Sequence, residues 1–172
     1  SSSRFDGGVM LPYVFSFMTE GANSKGRYVD FRADASDANK TVIEGADGTG
    51  SLLSVNLSAK SKTFYFWNEN SGHHNLQLAS WLEGSKNYVQ VAFPLGQELS
   101  QGFRLDFGLA AQKNAPAEWE VQYSTDAKKW AAVPDKVTIP KGQVFGGGKG
   151  YFYYSVETRL NAPIASKSTL YI

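Results

Sequence analysis

The strongest constraint on this chain is a period of two. Phe103, Leu105, Phe107 and Leu109 alternate with Arg104, Asp106 and Gly108. Val89, Val91 and Phe93 alternate with Gln90 and Ala92, and Leu53, Val55 and Leu57 alternate with Ser54 and Asn56. Trp119, Val121 and Tyr123 alternate with Glu120, Gln122 and Ser124. Residues two apart share a face of a strand, so each run predicts one buried face and one wet face. Phe64 to Trp67 and Tyr151 to Val156 are aromatic on both phases. Such runs predict central strands, or strands whose outer face meets something.

Turn formers separate the runs: Gly7-Gly8, Gly45 to Gly50, Asn70-Ser71-Gly72, Gly84 to Asn87, Ser124-Thr125-Asp126, Pro140-Lys141-Gly142 and Gly146 to Gly150. Short strands punctuated this way predict an all-β fold, an antiparallel sandwich or barrel. No amphipathic pattern reaches three helical turns, and the best helical segment is the short stretch from Ser36 to Lys40. At 172 residues, with no internal boundary, the chain suits a single domain spanning residues 1–172.

Charge and composition exclude several classes. With 17 Lys and Arg against 16 Asp and Glu, a net charge of +1 gives no electrostatic case for nucleic acid. No Cys is present, so disulfide scaffolds and Cys-ligated zinc or iron–sulfur sites are out. No apolar run approaches the ~20 residues of a membrane span. The chain opens Ser1-Ser2-Ser3-Arg4 and closes in the strand-like Thr169-Leu170-Tyr171-Ile172. Both have the character of cut ends, which predicts a domain excised from a longer protein.

The segment from Lys86 to Val133 carries a resemblance. It reads K-N-Y-V-Q-V-A-F-P-L, then G-F-R-L-D-F-G-L-A-A-Q, then A-P-A-E-W-E-V-Q-Y-S-T-D-A-K-K-W-A-A-V. This resembles a jelly-roll β-sandwich module of Bacteroidetes surface and secreted proteins, similar to galactose-binding-like domains. The most specific piece runs from Trp119 to Asp126, followed by Trp130. Read physically, it is a strand, a tight turn and a returning strand, with Ser124 and Asp126 bonding local backbone. Trp119, Val121 and Tyr123 are expected to face the core, and Trp130 to start the next strand and cover its edge. The family more often has Gly where this chain has Ala127. The resemblance implies an exported, extracellular or cell-surface module whose signal peptide is absent from this chain. It implies architecture and does not imply catalysis, because the motif is structural.

No catalytic constellation emerges from the residues. His73 and His74 are the only histidines, and neighbours on a strand occupy opposite faces, so one metal suits them only if they lie in a loop. No Gly-x-Ser-x-Gly elbow exists. Glu118 and Glu120 share one strand face, where solvated glutamates are the plain reading of what would otherwise be a glycosidase pair. Asp30, Asp34, Asp37, Asn39, Glu44 and Asp47 crowd together, which makes Asp34, Asp37 and Asp47 candidate ligands for a structural calcium ion. Ordinary loop solvation explains the same residues. Gly146 to Gly150 lacks the Gly-Lys-Ser/Thr of a phosphate loop.

The aromatics are the chemical surplus: 4 Trp, 9 Tyr and 11 Phe. Sugar rings present apolar C–H faces to flat aromatic side chains, while amides and imidazoles bind the hydroxyls. Trp67, His73, His74 and Asn75 offer that mixture in one short region, and Tyr151 and Tyr153 are secondary candidates. A core role for Trp67 accounts for it equally well. The expectation is a non-catalytic surface module that binds a glycan, with no cofactor beyond that calcium. The alternative is a spacer domain seated against a neighbouring protein domain.

Overall fold

The computed structural model describes residues 13–16, 26–29, 31, 42–46, 48–56, 62–68, 73–79, 86–109, 116–138 and 152–172. For residues 13, 14, 16, 26–28, 62–68, 73–79, 109, 152 and 153 the description is of the backbone alone. The described residues are strand-rich and contain no helix, in keeping with an all-β fold. The short segment from Ser36 to Lys40 lies outside them.

Two four-stranded sheets frame the molecule. The first joins β1 (Tyr13–Ser16), β2 (Gly26–Tyr28), β8 (Gly102–Leu109) and β13 (Phe152–Arg159) in the order β13-β8-β1-β2. The second joins β3 (Val42–Glu44), β4 (Leu52–Asn56), β7 (Tyr88–Pro94) and β14 (Thr169–Tyr171) in the order β14-β7-β4-β3. β5 (Lys62–Asn68) and β6 (His73–Ala79) pair as an antiparallel hairpin. The remaining short strands are β9 (Glu118–Trp119), β10 (Gln122–Tyr123), β11 (Ala131–Ala132) and β12 (Val137–Thr138). They pair β9 with β12 and β10 with β11, forming one long ribbon from Glu118 to Thr138.

The alternation of apolar residues decides which side of each sheet is dry. Phe103 and Leu105 of β8, Leu53 and Val55 of β4, and Val91 and Phe93 of β7 are all buried. They join Phe15, Val156 and Leu170 in one cluster shared by both sheets, with Trp119, Val121 and Tyr123 of the ribbon packed against it. The rings of Phe15, in the first sheet, and Phe93, in the second, lie 4.4 Å apart. Phe103 meets Phe15 at 6.2 Å and Tyr123 at 5.4 Å, both edge to face. Each fully buried Phe contributes about 1.5–3 kcal/mol, so these rings anchor the contact between the sheets. Trp119 keeps its indole N–H satisfied by donating to the Pro116 carbonyl at 3.1 Å.

Two expectations change in detail. β1 runs parallel to both β2 and β8, whereas every other described strand pair is antiparallel. Alternation reports the face a residue occupies and is blind to strand direction. Asp106 sits on the expected wet phase of β8 yet is only 2% exposed. Arg104 and Ser155 cover it: the guanidinium donates to both carboxylate oxygens at 3.0 and 3.2 Å, and the Ser155 hydroxyl donates at 2.7 Å.

The ribbon extends the second sheet. Ser124 and Tyr171 exchange two backbone hydrogen bonds, at 2.8 and 2.9 Å, on the side of β14 away from β7. On its other side β14 continues to Ile172, which exchanges two bonds with Val91. The strand sequence across this surface is therefore β11-β10-β14-β7-β4-β3.

Candidate functional site

The turn that caps the ribbon is built by two side chains. The Ser124 hydroxyl accepts from the backbone N–H of Asp126 at 3.2 Å and of Ala127 at 2.9 Å, and donates to the Asp126 carboxylate at 2.9 Å. That carboxylate in turn accepts from the N–H of Lys128 at 2.8 Å and of Lys129 at 2.9 Å. The N–H of Lys129, then that of Lys128 and the Ser124 hydroxyl, hold the Asp126 carboxyl down at about 2. The reversal passes through a left-handed residue, Ala127, with φ of 59°. Glycine adopts that angle without steric cost, whereas a residue with a Cβ does not. The turn formers thus act as expected, while the residue at the bend carries strain.

The strand register sorts the side chains of the second sheet. One row across its outer face runs Ser124, Tyr171, Ala92, Leu52 and Glu44. A second row runs Gln90, Ser54 and Val42, and a third pairs Tyr88 with Asn56. The ribbon pairs Tyr123 with Ala131 and Gln122 with Ala132, so the same register continues to set Trp130 opposite Ser124 on this face. The inner positions Ile43, Leu53, Val91, Phe93 and Leu170 are buried.

Four large apolar side chains are exposed among the described residues: Val42 at 52%, Tyr88 at 49%, Leu52 at 39% and Trp130 at 38%. All four fall on this one face. Isolated surface apolar residues are ordinary, but concentration on a single face marks a contact surface. The polar residues among them are mostly uncharged: Asn56, Ser54, Gln90 and Gln122. The Ser54 hydroxyl donates to the Gln90 carbonyl oxygen at 3.5 Å, and the Gln122 amide donates to Glu120 at 3.2 Å.

These residues were legible as the off-beat of the alternation. Tyr88 stands on the polar phase of the run Val89, Val91, Phe93, Leu52 on the polar phase of Leu53 and Val55, and Val42 beside the buried Ile43. An aromatic or aliphatic residue on the wet phase is the sequence signal for an exposed contact face. Trp130, expected to start the returning strand, stands one residue before β11 and is exposed.

The β5–β6 hairpin holds four of the residues expected to form a ligand platform. Trp67 pairs with His74, Asn68 with His73 and Phe66 with Asn75. Trp67 and His74 thus share one register pair, while His73 and Asn75 occupy the alternate positions of β6. Both histidines lie within a strand and not in a loop. Tyr153 pairs with Gly108 on β13. Tyr151, Asp34, Asp37 and Asp47 lie outside the described residues.

In the Arg104–Asp106–Ser155 cluster both carboxylate oxygens of Asp106 are engaged, which suits a structural tie across β8 and β13. Tyr154 stacks on Phe107 at 5.7 Å and donates its hydroxyl to the Thr138 carbonyl at 2.9 Å. Desolvation there raises its phenol above the usual value. Glu118 and Glu120 are both exposed. Among the described residues, no group of three or more His, Asp or Glu is placed to hold a metal ion, and no helix is long and apolar enough to cross a membrane.

Comparison with known proteins matched no family model, no curated protein and no solved structure.

Proposed function

We propose that this chain is a non-catalytic carbohydrate-binding module, exported to the cell surface or beyond, with a jelly-roll sandwich architecture of the galactose-binding-like type. The architectural part rests on the residues from Lys86 to Val133 and on two four-stranded sheets meeting through Phe15 and Phe93. The functional part rests on one observation: all four exposed large apolar side chains of the described residues share the outer face of the second sheet. Tyr88 and Trp130 supply flat rings for the C–H faces of sugars, and Asn56, Ser54, Gln90 and Gln122 supply hydrogen bonds for hydroxyls.

A second reading has its own support. Val42 and Leu52 are aliphatic and suit a protein surface better than a sugar ring. In that reading the same face seats a neighbouring domain, and the chain is a spacer.

A glycan array probed with the purified chain, with and without calcium, separates the two. Saturable binding that Tyr88→Ala or Trp130→Ala abolishes supports the sheet face. Loss in Trp67→Ala alone moves the site to the β5–β6 hairpin. A calcium requirement promotes Asp34, Asp37 and Asp47 as ligands. A folded protein that binds no glycan leaves the spacer.

A further inference from the structure

We infer that the sheet face takes an extended, uncharged polysaccharide strand lying across β14, β7 and β4, and not a terminal sugar in a pocket; this rests on the carbohydrate reading above. The row Trp130, Ser124, Tyr171, Ala92, Leu52 crosses the strands at right angles. Neighbouring strands lie about 4.8 Å apart, so the row spans roughly 19 Å from Trp130 to Leu52. Trp130 and Tyr171 are two strand spacings apart, roughly 10 Å. That separation lets each ring meet a different sugar unit.

The row is low on either side of Tyr171. Ser124 is buried, its hydroxyl taken up by the turn, and Ala92 carries only a methyl group. The bulky residues Trp130, Tyr171 and Leu52 thus alternate along the row with the small Ser124 and Ala92. One flank of the row carries Gln122, Gln90 and Ser54, which offer amides and a hydroxyl along the full length of a bound chain. No carboxylate, ammonium or guanidinium stands in the row between Trp130 and Leu52; Glu120 lies beside the flank, accepting from the Gln122 amide at 3.2 Å, and Glu44 comes only beyond Leu52. An uncharged, hydroxyl-rich polymer matches that row, whereas an anionic one would meet no cation in it and the carboxylates of Glu120 and Glu44 at its margins.

Calorimetric titration with ladders of one to six units of β-glucan, xylan and mannan oligosaccharides tests the inference. Affinity for one of the ladders is expected to rise at least about tenfold from the single sugar to four units and then level off. Ala92→Arg, which raises the floor at an outer-face position, is expected to weaken long-chain binding about tenfold, while Ala92→Ser leaves it intact. Leu52→Ser is a second variant at an exposed position and should weaken only the longer ligands. Equal affinity for one and four units, or full binding by Ala92→Arg, overturns the inference and leaves the carbohydrate reading standing. No binding to any length, with glycan arrays also negative, overturns both. A dimer that Ala92→Arg dissolves in sedimentation velocity assigns the face to a second copy and overturns the inference as well.

Discussion

Replacing Ala127 by Gly should stabilise this protein, although it removes a side chain and adds no contact. Ala127 holds φ at 59° because the Ser124 and Asp126 side chains fix the backbone on both sides of it. A left-handed conformation costs a residue bearing a Cβ roughly 1–2 kcal/mol, and glycine escapes that cost. Glycine also gains freedom in the unfolded chain, which offsets about 0.4–1 kcal/mol. The net expectation is a gain of about 0.5–1 kcal/mol. For a chain of this length each kcal/mol moves the melting temperature by about 2–4 °C, so Ala127→Gly should melt roughly 1–4 °C higher. Urea unfolding should show a higher midpoint at an unchanged slope, the sign of a native-state effect. Ala127→Val should move the midpoint the other way by at least as much, since a branched Cβ tolerates this region least. A midpoint for Ala127→Gly equal to or below that of the parent, with the same slope, would refute the reasoning.

Two further perturbations test the polar framework. Because its folded pKa is lowered to about 2 from an ordinary 3.8, Asp126 binds its proton more readily in the unfolded chain; its stabilising effect is complete above about pH 4 and disappears as the pH falls through 2. Asp126→Ala should be less stable at neutral pH and should lose less stability than the parent between pH 4 and 2, as followed by thermal melts. Asp106→Ala leaves the Arg104 guanidinium and the Ser155 hydroxyl without their acceptor. The Arg104 side chain is 20% exposed, so water offsets part of the loss, and a cost of about 2–3 kcal/mol is expected in urea unfolding, below the 3–5 of a fully buried pair.

The faces of the strands were readable, residue by residue, because burial in a sheet repeats with the pleat. Phe103, Leu105, Leu53, Val55, Val91 and Phe93 all lie where their phase puts them. The direction of β1 was not readable: it neighbours β8 in space but lies far from it in sequence, and no hairpin ties the two. Asp106 misled for another reason. Its phase is polar, but Arg104 two residues away on the same strand and Ser155 across on β13 close over it. The turn at Ser124 and Asp126 was legible because its hydrogen bonds are local. The outer face of the second sheet was not assembled in advance, because Trp130, Tyr171, Leu52 and Tyr88 are scattered along the chain and only the register gathers them. For Trp67, His73, His74, Asn75 and Tyr153 the register alone is fixed, and it splits the first four between alternate positions of one hairpin.

The position of β14 has a consequence for the order in which the molecule can be made. Its few residues lie between β7 and the ribbon that begins at Glu118, so they form the seam of the widest surface. During synthesis β3, β4, β7 and the ribbon all leave the ribosome well before that seam exists. Until it arrives, the ribbon has no edge to join, and β7 shows one unpaired side to the cell. Closure then links residues about eighty positions apart, as in the bonds between Val91 and Ile172. Such a late, long-range step slows folding, and it makes the exposed edge of β7 the place where nascent chains would find one another.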